Sequence, residues 1–526
     1  MMKRREFLSK SVPISLLPMF IGGLSVQAYG RSPFLETLVS AATETDRVLV
    51  LIQLNGGNDG LNMVIPLSEY TNLSKARTNI LIPEAKVLKM TDATGFHPSM
   101  TGMLDLYTSG KLSVLQSVGY PNPNFSHFRA TDIWLTASDS NQFVTEGWLG
   151  RYLNEEFPSF PNGYPNTVMP DPLAIQIGST ISPGLQGPSV SMGMTITDPT
   201  KFYQLVSGTV DPAPNTPAGH ELTFIRQVAQ QTQQYASVIK NAASKANNLS
   251  TKYPTTPDNS LGDQLKVVAR LIAGGLKTRI YVVTLGGFDT HSNQVVAGAT
   301  ETGTHANLLG RLSKAISAFQ DDLKLLNVED RVIGMTFSEF GRRIISNASG
   351  GTDHGAAAPL IVFGKNIIPG IIGTNPSIPA TVTVSNNIPM QYDFRSVYAS
   401  ILRDWFDVPQ AELEAVLMKN FQSLPIITSP TSVSQKNTIP TDVALHQNYP
   451  NPFNPSTRIR FSTNDGYLQL KIYNSLGQEI QTIVEGAYSA GDHEVVFNGA
   501  SLPSGTYYCR LQQGSTVQIK SMSLIK

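Results

Sequence analysis

Continuous apolar runs that alternate with amphipathic helices constrain the fold of this chain more than any other feature. Runs such as 47–54 and 279–285 carry apolar side chains on both faces, which is typical of strands buried in a parallel sheet. Similar runs lie at 112–118, 331–337 and 360–363, and helical patterns lie at 220–248, 265–276, 304–326 and 392–406. Strand and helix alternating over this length predict an α/β domain with a mainly parallel central sheet.

Polar residues concentrate where these strands end. Ligands bind at the carboxyl ends of strands in open α/β sheets, so these loops are the place to expect chemistry. The loops are 55–59, 121–129, 286–291, 338–343 and 351–355. Of the eight histidines in the chain, His127, His291 and His354 fall in these loops. Carboxylates and imidazoles together suit zinc, manganese or iron.

Composition excludes several classes of protein. The chain has 526 residues, 41% hydrophobic and 15% charged, which excludes wholesale disorder. Its 39 basic and 39 acidic residues balance, so no global positive field indicates nucleic-acid binding. The one cysteine, Cys509, allows neither an intramolecular disulfide nor a cysteine-built zinc site. The length fits one large domain with smaller additions, at about 150 residues per domain.

The N-terminus carries a transport pattern. Arg4 and Arg5 precede an apolar stretch, 12–26, that Pro13 and Pro18 interrupt, which makes it a poor membrane span. Small residues near Ala28 offer a cleavage site. Residues 1–28 resemble a twin-arginine (Tat) signal, which implies export to the periplasm by the Tat translocase and no stable transmembrane anchor. The alternative is an uncleaved amphipathic anchor.

The C-terminus predicts a second, small domain. Residues 428–441 are rich in Ser, Thr and Pro and indicate a linker before a domain at 442–526. Short alternating strands at 458–462, 468–473, 493–497 and 506–512 predict a β-sandwich. Tyr507 and Tyr508 are adjacent and face opposite sides, so the alternative, a carbohydrate-binding sandwich, lacks an aromatic platform.

The motifs of this domain add a resemblance. QNYPNPFNPST, IYNSLGQEI and LPSGTYYCRL, in this order, resemble the type IX secretion C-terminal sorting domain. The resemblance implies that the type IX machinery carries the protein across the outer membrane. The protein would then be secreted or attached at the cell surface.

Five ordered motifs in the large domain carry another resemblance. LIQLNGGNDGLN, YPNPNFSHFRATDIW, YVVTLGGFDTH, MTFSEFGRR and GTDHGAAAPLIVFG resemble the bacterial domain-of-unknown-function 1501 family, over residues 47 to 421. That family is placed in the alkaline-phosphatase/sulfatase superfamily. The resemblance implies an alkaline-phosphatase-like fold for 29–427 and metal-dependent hydrolysis of phosphate or sulfate esters. A divalent metal (zinc, manganese, calcium or iron) is the implied cofactor.

The resemblance also assigns residues one by one. The superfamily has a metal-binding Asp after its first strand, where this chain has Asn55, with Asp59 four residues on. Its nucleophile begins a helix, and Ser126 is the matching residue. Helix N-termini offer free N–H groups to an anionic ester. Asp289 and His291 match the next two ligands, although the superfamily spaces them four apart rather than two.

Two alignments compete for the remaining ligands. In one, Asp353 and His354 form the superfamily's Asp-His-Gly motif. In the other, Glu339 fills that Asp position, Phe340 replaces a ligating His, and His354 is the last ligand before a strand. The second is preferred because position relative to strands constrains geometry more than a dipeptide does. It predicts one metal position with Asp289, His291 and His354, and a second depleted to Asn55 or Asp59 and Glu339.

The expected function is therefore an exported ester hydrolase with a partly depleted metal site. Ser126, His127 and Arg342 are the predicted catalytic residues, with Arg342 suited to hold an anionic ester or polyanion. The alternative is a non-catalytic secreted or cell-surface binding protein that retains the fold. A single metal site requires the Asp289 and His354 side chains to lie within about 6 Å of each other.

Overall fold

The computed structural model describes two compact units, which divide between Pro430 and Thr431. The described residues are 46–199, 235–428, most of 443–526 and two paired strands, Phe20–Ile21 and Leu24–Ser25. Within 443–526 the exceptions are 446, 449–450, 465, 475–476, 489–490 and 515. Most of the predicted transport signal, most of the linker and residues 220–234 of the predicted long helix lie outside the described residues.

A nine-stranded sheet organises the first unit. Its strands are β1 (Val48–Asn55), β2 (Leu112–Gly119), β3 (Ala174–Ile177), β4 (Met194–Ile196), β5 (Ile280–Gly286), β6 (Val332–Phe337), β7 (Ala358–Gly364), β8 (Gly370–Ile372) and β9 (Tyr392–Asp393). The order is β8-β2-β7-β6-β1-β5-β3-β4, with β9 also paired to β2. Only β7 is antiparallel to its neighbours in this sheet, which confirms the predicted mainly parallel α/β class.

Helices and their cores cover both faces of this sheet. Leu49 and Leu51 of β1 pack into one hydrophobic core, whereas Val50 and Ile52 pack into the other. The helices are α1 (Gly60–Met63), α2 (Tyr70–Ala76), α3 (Thr101–Thr108), α4 (His127–Thr136), α5 (Trp148–Glu156), α6 (Ser260–Ala273), α7 (Thr304–Leu325), α8 (Phe394–Ser400) and α9 (Gln410–Leu417), with residues 235–245 also helical. Burial on both faces explains the continuous apolar runs of the strands.

The predicted helix 392–406 is divided in the structure. Tyr392–Asp393 forms β9, and the Asp393 carboxylate accepts the backbone N–H of Arg395 to cap α8. A π-helical turn, Ile401–Trp405, follows α8.

Strands β3 and β4 were not predicted, because four and three residues are too few to show a hydrophobic period.

The second unit is the predicted small β-sandwich. One sheet contains β10 (Ala444–Leu445), β11 (Ser456–Thr463) and β14 (Gly491–Asn498), and the other contains β12 (Gly466–Tyr473), β13 (Glu479–Tyr488), β15 (Gly505–Gln513) and β16 (Thr516–Leu524). Leu470, Leu511 and Met522 are among the side chains that fill its core. None of the helices in the described residues has the length and hydrophobicity that a bilayer crossing requires.

Candidate metal centre

The reversed strand β7 explains how the candidate residues reach one edge of the sheet. The parallel strands β1, β5 and β6 lie side by side, so the loops after them share the same edge. Because β7 runs the opposite way, the residues before it lie at that edge too. A short ladder between Gly341–Arg342 and His354–Gly355 joins the two ends of the β6–β7 connection.

Asp289 lies at the centre of the cluster. Its Oδ1 is 2.6 Å from Nη2 of Arg342, 3.2 Å from Nε2 of His291 and 3.3 Å from Nε2 of His354. Its Oδ2 is 3.5 Å from Nε2 of His127. The expected approach of Asp289 and His354 to within about 6 Å is confirmed.

The loop that carries Asp289 requires a glycine at position 56, in the adjacent loop after β1. Gly56 follows β1 with φ of +121°, and a Cβ built there would lie 2.3 Å from the Asp289 backbone nitrogen. A side chain at position 56 would therefore push the Asp289 loop away. The Gly-rich end of β1 allows the β5 loop to approach closely enough for this cluster to form.

In each of the three histidines of the cluster, Nδ1 donates a hydrogen bond to an oxygen atom. For His291 this is Oδ1 of Asp353 at 3.1 Å, and for His127 it is Oε1 of Glu339 at 2.8 Å. For His354 it is the backbone carbonyl of Phe125 at 2.8 Å. Nδ1 must carry the proton in such bonds, so each neutral ring presents an unprotonated Nε2.

The Nε2 atoms then face one another and the carboxylate. Nε2 of His291 lies 2.9 Å from Nε2 of His354, and both are close to Oδ1 of Asp289. Two lone pairs and a carboxylate at this separation repel unless a proton or a metal ion lies between them. Tetrahedral ligands with bonds of about 2.1 Å are roughly 3.4 Å apart, so the spacing fits a metal.

Burial and charge favour the protonation states that a metal requires. Burial lowers the pKa of His354, which keeps its imidazole neutral. Burial raises the pKa of Asp289, but the hydrogen bond and charge of Arg342 outweigh it, so the pKa lies below its usual value and the carboxylate is ionised. A neutral imidazole beside a carboxylate is a metal-binding pair.

His127 gives the cluster a second possible set of ligands. His127, Asp289 and His354 offer ligand atoms that all lie within 4.8 Å of one another. The set Asp289, His291 and His354, predicted from the sequence, is the tighter one by its pairwise distances of 2.9 to 3.3 Å. Both sets share Asp289 and His354, which are therefore the two side chains on which any metal site here depends.

Glu339 and Asp353 differ from their predicted role as ligands. Each carboxylate binds the far nitrogen of a histidine ring, Glu339 behind His127 and Asp353 behind His291. Glu339 is also fixed by the Gly56 backbone N–H at 2.8 Å. Carboxylates in this position orient metal-binding histidines. Mutating such a carboxylate lowers the metal affinity of the site.

Asp59 is not brought to the cluster. Its Oδ2 accepts 2.6 Å hydrogen bonds from Arg77 and from Gln294, in a fully buried ion pair. The prediction of Asp59 as a ligand is therefore wrong, because an Arg neutralises this carboxylate inside the core. Asn55 remains close to the site, since it lines a cavity together with Asp289 and Glu339.

Arg342 does not face a substrate. Its guanidinium is fully buried and donates to the backbone carbonyls of Gly56, Gly57, Phe288 and Thr352 as well as to Asp289. The prediction that Arg342 binds an anionic ester is wrong, because these acceptors occupy its donors. It fastens the loops after β1 and β5 to the β6–β7 connection and holds Asp289 in place.

Ser126 begins α4 as predicted. It is exposed, and its hydroxyl makes no capping hydrogen bond to the first turn. The backbone carbonyl of the preceding residue, Phe125, accepts a hydrogen bond from Nδ1 of His354, so the Ser126 backbone lies beside the cluster. The Ser126 hydroxyl therefore does not act as a helix cap.

Phe340 packs against the histidine rings where the superfamily would place a ligand. Its ring centroid lies 4.4 Å from that of His354 and 4.9 Å from that of His127. A Cβ at Gly57 would lie 2.3 Å from the Phe340 ring, so a glycine is required there. Within the described residues, the His/Asp groups fit one metal position rather than two.

A cavity of about 540 Å³ opens beside the cluster. Its wall includes Gln53, Asn55, Gly56, His127, Phe128, Thr131, Asp132, Leu135, Pro183, Asp289 and Glu339. Gln53, Phe128, Thr131 and Asp132 were not among the site residues predicted from the sequence. Gln53 carried a signal, since it is a polar residue inside an apolar strand and points to the same side as Asn55. No sequence feature indicated which side of α4 would face the cavity.

Two family models match the chain. Residues 203–416 match "Protein of unknown function (DUF1501)", and residues 447–525 match "Secretion system C-terminal sorting domain". Both resemblances drawn from the motifs are therefore confirmed in these segments. The second match implies secretion to the cell surface or beyond. No curated protein sequence matches the chain.

Solved structures similar to this chain include members of the alkaline phosphatase superfamily. One such protein from Vibrio parahaemolyticus has 9% identity and a TM-score of 0.31, with 81% of this chain and 77% of that chain covered. PsFucS1 sulfatase from Pseudoalteromonas sp. has 9% identity and a TM-score of 0.33, with 89% and 88% covered. Alkaline phosphatase from the Antarctic bacterium TAB5 has 7% identity and a TM-score of 0.25, with 61% and 92% covered.

Proposed function

We propose that this protein is an exported, metal-dependent hydrolase of phosphate or sulfate esters. The observation that carries the proposal is the convergence of the Nε2 atoms of His291 and His354 on Asp289, with each ring fixed at Nδ1 by an oxygen acceptor. A metal ion between these atoms would be bound by both imidazoles and the carboxylate. Imidazole and carboxylate donors fit zinc, manganese or iron better than calcium, which prefers oxygen.

Asp289, His291 and His354 would hold the metal. When bound, a divalent cation supplies positive charge against the non-bridging oxygens of a phosphate or sulfate ester. Arg342 holds Asp289 in position, and Asp353 and the Phe125 carbonyl fix the two imidazoles. These contacts orient the metal ligands before the metal binds. Ligands that are already aligned lose little conformational freedom on binding.

Ser126 would be the nucleophile. Its Oγ would form a bond to phosphorus or sulfur as the bond to the alcohol oxygen breaks, and water would then release phosphate or sulfate. His127 would accept the hydroxyl proton and return it to the departing alcohol, with Glu339 fixing its ring. The free N–H groups in the first turn of α4 add to the attraction for an anionic group.

Export would proceed in two stages. The twin-arginine signal at residues 1–28 would direct the folded chain to the Tat translocase and the periplasm. The sorting domain would then engage the type IX machinery for passage through the outer membrane. A Tat route suits a protein that folds around a metal before export.

Phe340 favours a second candidate, a secreted binding protein without catalysis. Its ring occupies the space between His127 and His354 where a further ligand would be needed for a second metal. Two-metal sites stabilise both the attacking and the leaving oxygen, and one metal provides less. In this alternative the same metal site would bind an anionic ester or polyanion without cleaving it.

Metal analysis and ester hydrolysis on the purified full chain test the proposal. We expect close to one equivalent of metal per chain and hydrolysis of p-nitrophenyl phosphate or sulfate that a chelator abolishes and added metal restores. Metal binding without hydrolysis of either ester would support the binding protein instead. Protein that acquires no metal from zinc, manganese or iron solutions would overturn both.

A further inference from the structure

We infer that Gln294, which lies outside the cluster, fixes the distance between the two loops that carry the metal ligands. It acts through the hydroxyls of Thr290 and Thr352, and Asp59 holds its amide in one orientation. Gln294 is thus a positioning residue and not a ligand. The inference rests on the proposed function, since it concerns the same metal site.

One amide oxygen joins the two loops. Gln294 lies further along the loop after β5 and is fully buried. Its Oε1 accepts one hydrogen bond from the hydroxyl of Thr290 and another from that of Thr352, each 3.0 Å long. Thr290 is the residue between the two ligands of the β5 loop, and Thr352 lies two residues before the ligand His354. A carbonyl oxygen has two lone pairs, so this single atom can hold both hydroxyls.

The loops also touch through their backbones at this point. The Thr352 N–H donates a hydrogen bond to the Thr290 carbonyl at 3.2 Å. A Cβ built at Gly351 would lie 2.3 Å from the same carbonyl oxygen. Because the loops are in direct contact here, a shift between them would change the 2.9 Å separation of the His291 and His354 Nε2 atoms.

Asp59 determines which end of the Gln294 amide faces the threonines. Its Oδ2 accepts a hydrogen bond from Nε2 of Gln294 at 2.6 Å. Burial raises the pKa of Asp59, but the charge and hydrogen bond of Arg77 outweigh it, so the pKa lies below its usual value and the carboxylate is ionised. An ionised carboxylate only accepts hydrogen bonds, so the amide turns its NH2 group to Asp59 and its oxygen to the two hydroxyls. The buried ion pair is therefore connected to the metal centre although it supplies no ligand.

A purely structural role for Gln294 is the alternative, and it predicts a different result. Loss of the amide would then lower the free energy of unfolding but leave the metal affinity of the folded protein unchanged. The positioning role predicts a lower affinity, since residues that orient metal ligands from outside commonly change the affinity about 10–100-fold. Gln294 acts one step further out, through the loops, so we expect the lower end of that range.

Metal titration of the full chain and of two matched variants tests the inference. Gln294→Met keeps the length of the side chain and removes the amide, while the backbone keeps its hydrogen bonds to Gly350 and His305. Gln320→Met is the control, because Gln320 is also buried and its amide has no partner among the described residues. Gln320 lies sixteen residues beyond the start of α7, roughly 24 Å along the helix.

Affinities for zinc, manganese(II) and iron(II) are measured by competition with a chelator and compared for the metal that the parent chain binds most tightly. Urea unfolding of the metal-free proteins measures stability separately. We expect Gln294→Met to bind this metal about tenfold more weakly than the parent, and Gln320→Met to bind it within about twofold of the parent.

Two threonine variants test the route through the hydroxyls. Thr290→Val and Thr352→Val each remove one hydroxyl with little change of shape and should each lower metal affinity about threefold. Because both hydroxyls bind one oxygen, adding Gln294→Met to the double threonine variant should weaken binding by less than about twofold further. The threonine variants also carry the test if Gln294→Met does not fold.

Three results would overturn the inference and leave the metal site in place. They are unchanged affinity in Gln294→Met or in both threonine variants, equal losses in Gln294→Met and Gln320→Met, and a further loss of about tenfold in the triple variant. A parent chain that binds none of the three metals would overturn the proposed function and the inference together.

Discussion

Nε2 of His291 lies 2.9 Å from Nε2 of His354, although 63 residues separate them in the chain. Each ring donates its other N–H to an oxygen, so in the neutral rings both nitrogens that meet are acceptors. Contact between two acceptors is unfavourable in the absence of a cation. This pair is therefore the structural feature that most directly indicates a metal.

Removing either central ligand should abolish metal binding. Asp289→Asn and His354→Ala are each expected to reduce the metal content from about one equivalent to less than about 0.2, because three ligands are the minimum for such a site. Elemental analysis after dialysis measures this. Asp105→Asn, an exposed carboxylate on α3, is the control and should retain its metal. Full retention in both ligand variants would refute the site.

Arg342→Met should weaken both the fold and the metal site. The buried guanidinium joins four backbone carbonyls to Asp289, so its loss leaves acceptors unpaired and should cost about 3–5 kcal/mol of unfolding free energy. Arg342→Lys should keep part of the stability but lower metal affinity about tenfold or more, since Lys lacks the planar fork. Urea denaturation with chelator and metal titration separate the effects. The exposed Arg311→Met should change stability by less than about 0.5 kcal/mol.

Ser126→Ala should abolish ester hydrolysis and leave metal content unchanged. The hydroxyl makes no capping bond, so its removal should cost less stability than the approximately 1 kcal/mol of an ordinary N-cap. Thermal unfolding, metal analysis and hydrolysis of test esters are measured on the same preparation. A variant that hydrolyses these esters as fast as the parent would exclude Ser126 as the nucleophile.

Two buried histidines outside the cluster should make the fold sensitive to mild acid. Burial lowers the pKa of His97 to about 3 and that of His305 to about 4, with Asp59, Arg77 and Arg342 as the charged groups around His305. The unfolded chain binds their protons at about pH 6.5, so stability falls as the pH drops below that value. At pH 5.5 we expect a loss of roughly 1.4 kcal/mol per histidine.

The matched variant for this test is His97→Asn. Its Oδ1 takes the place of His97 Nδ1, which accepts the backbone N–H of Ser99. Denaturation of metal-free protein at pH 8 and pH 5.5 should show a smaller difference in the variant, by about half of the combined effect. An unchanged difference would mean that His97 does not contribute.

The boundary of the large unit can be located by truncation. Ile426 and Ile427 are buried in the core of the large unit, and Ile427 pairs with Ile367. A chain that ends after Pro430 should unfold cooperatively and remain soluble. A chain that ends after Leu424 loses both isoleucines and should be less stable by several kcal/mol, at about 1.5–3 kcal/mol per buried side chain. Equal stability of the two would place the boundary earlier.

Much of the fold was predictable from the sequence because the strands are buried on both faces. Runs such as β1 and β5 are apolar throughout, and their bounds were predicted to within one residue. Asp289, His291 and His354 were also predicted to meet, because strand ends in a parallel sheet share an edge. The reversal of β7 was not predicted, since an apolar run contains no information about its direction.

The roles of the charged residues in the cluster were harder to predict. Glu339 follows strand β6 and Asp353 precedes His354 in the chain, but their carboxylates lie behind the histidine rings. Asp59 and Arg342 have the polar character of active-site residues, yet both are buried in hydrogen bonds to neighbouring loops. Sequence position predicts that a residue lies near the site, whereas side-chain direction depends on packing that is not local.

The reversal of β7 has a consequence for how such a centre changes over time. Glu339, Arg342, Asp353 and His354 all lie on one continuous stretch whose two ends meet at neighbouring strands of the sheet. Because that stretch begins and ends at the same edge of the sheet, it can be replaced as one unit. A recombination event that replaced residues 338–357 would exchange one metal ligand, His354, together with the side chains that orient His127, Asp289 and His291, and would leave every strand of the nine-stranded sheet in place.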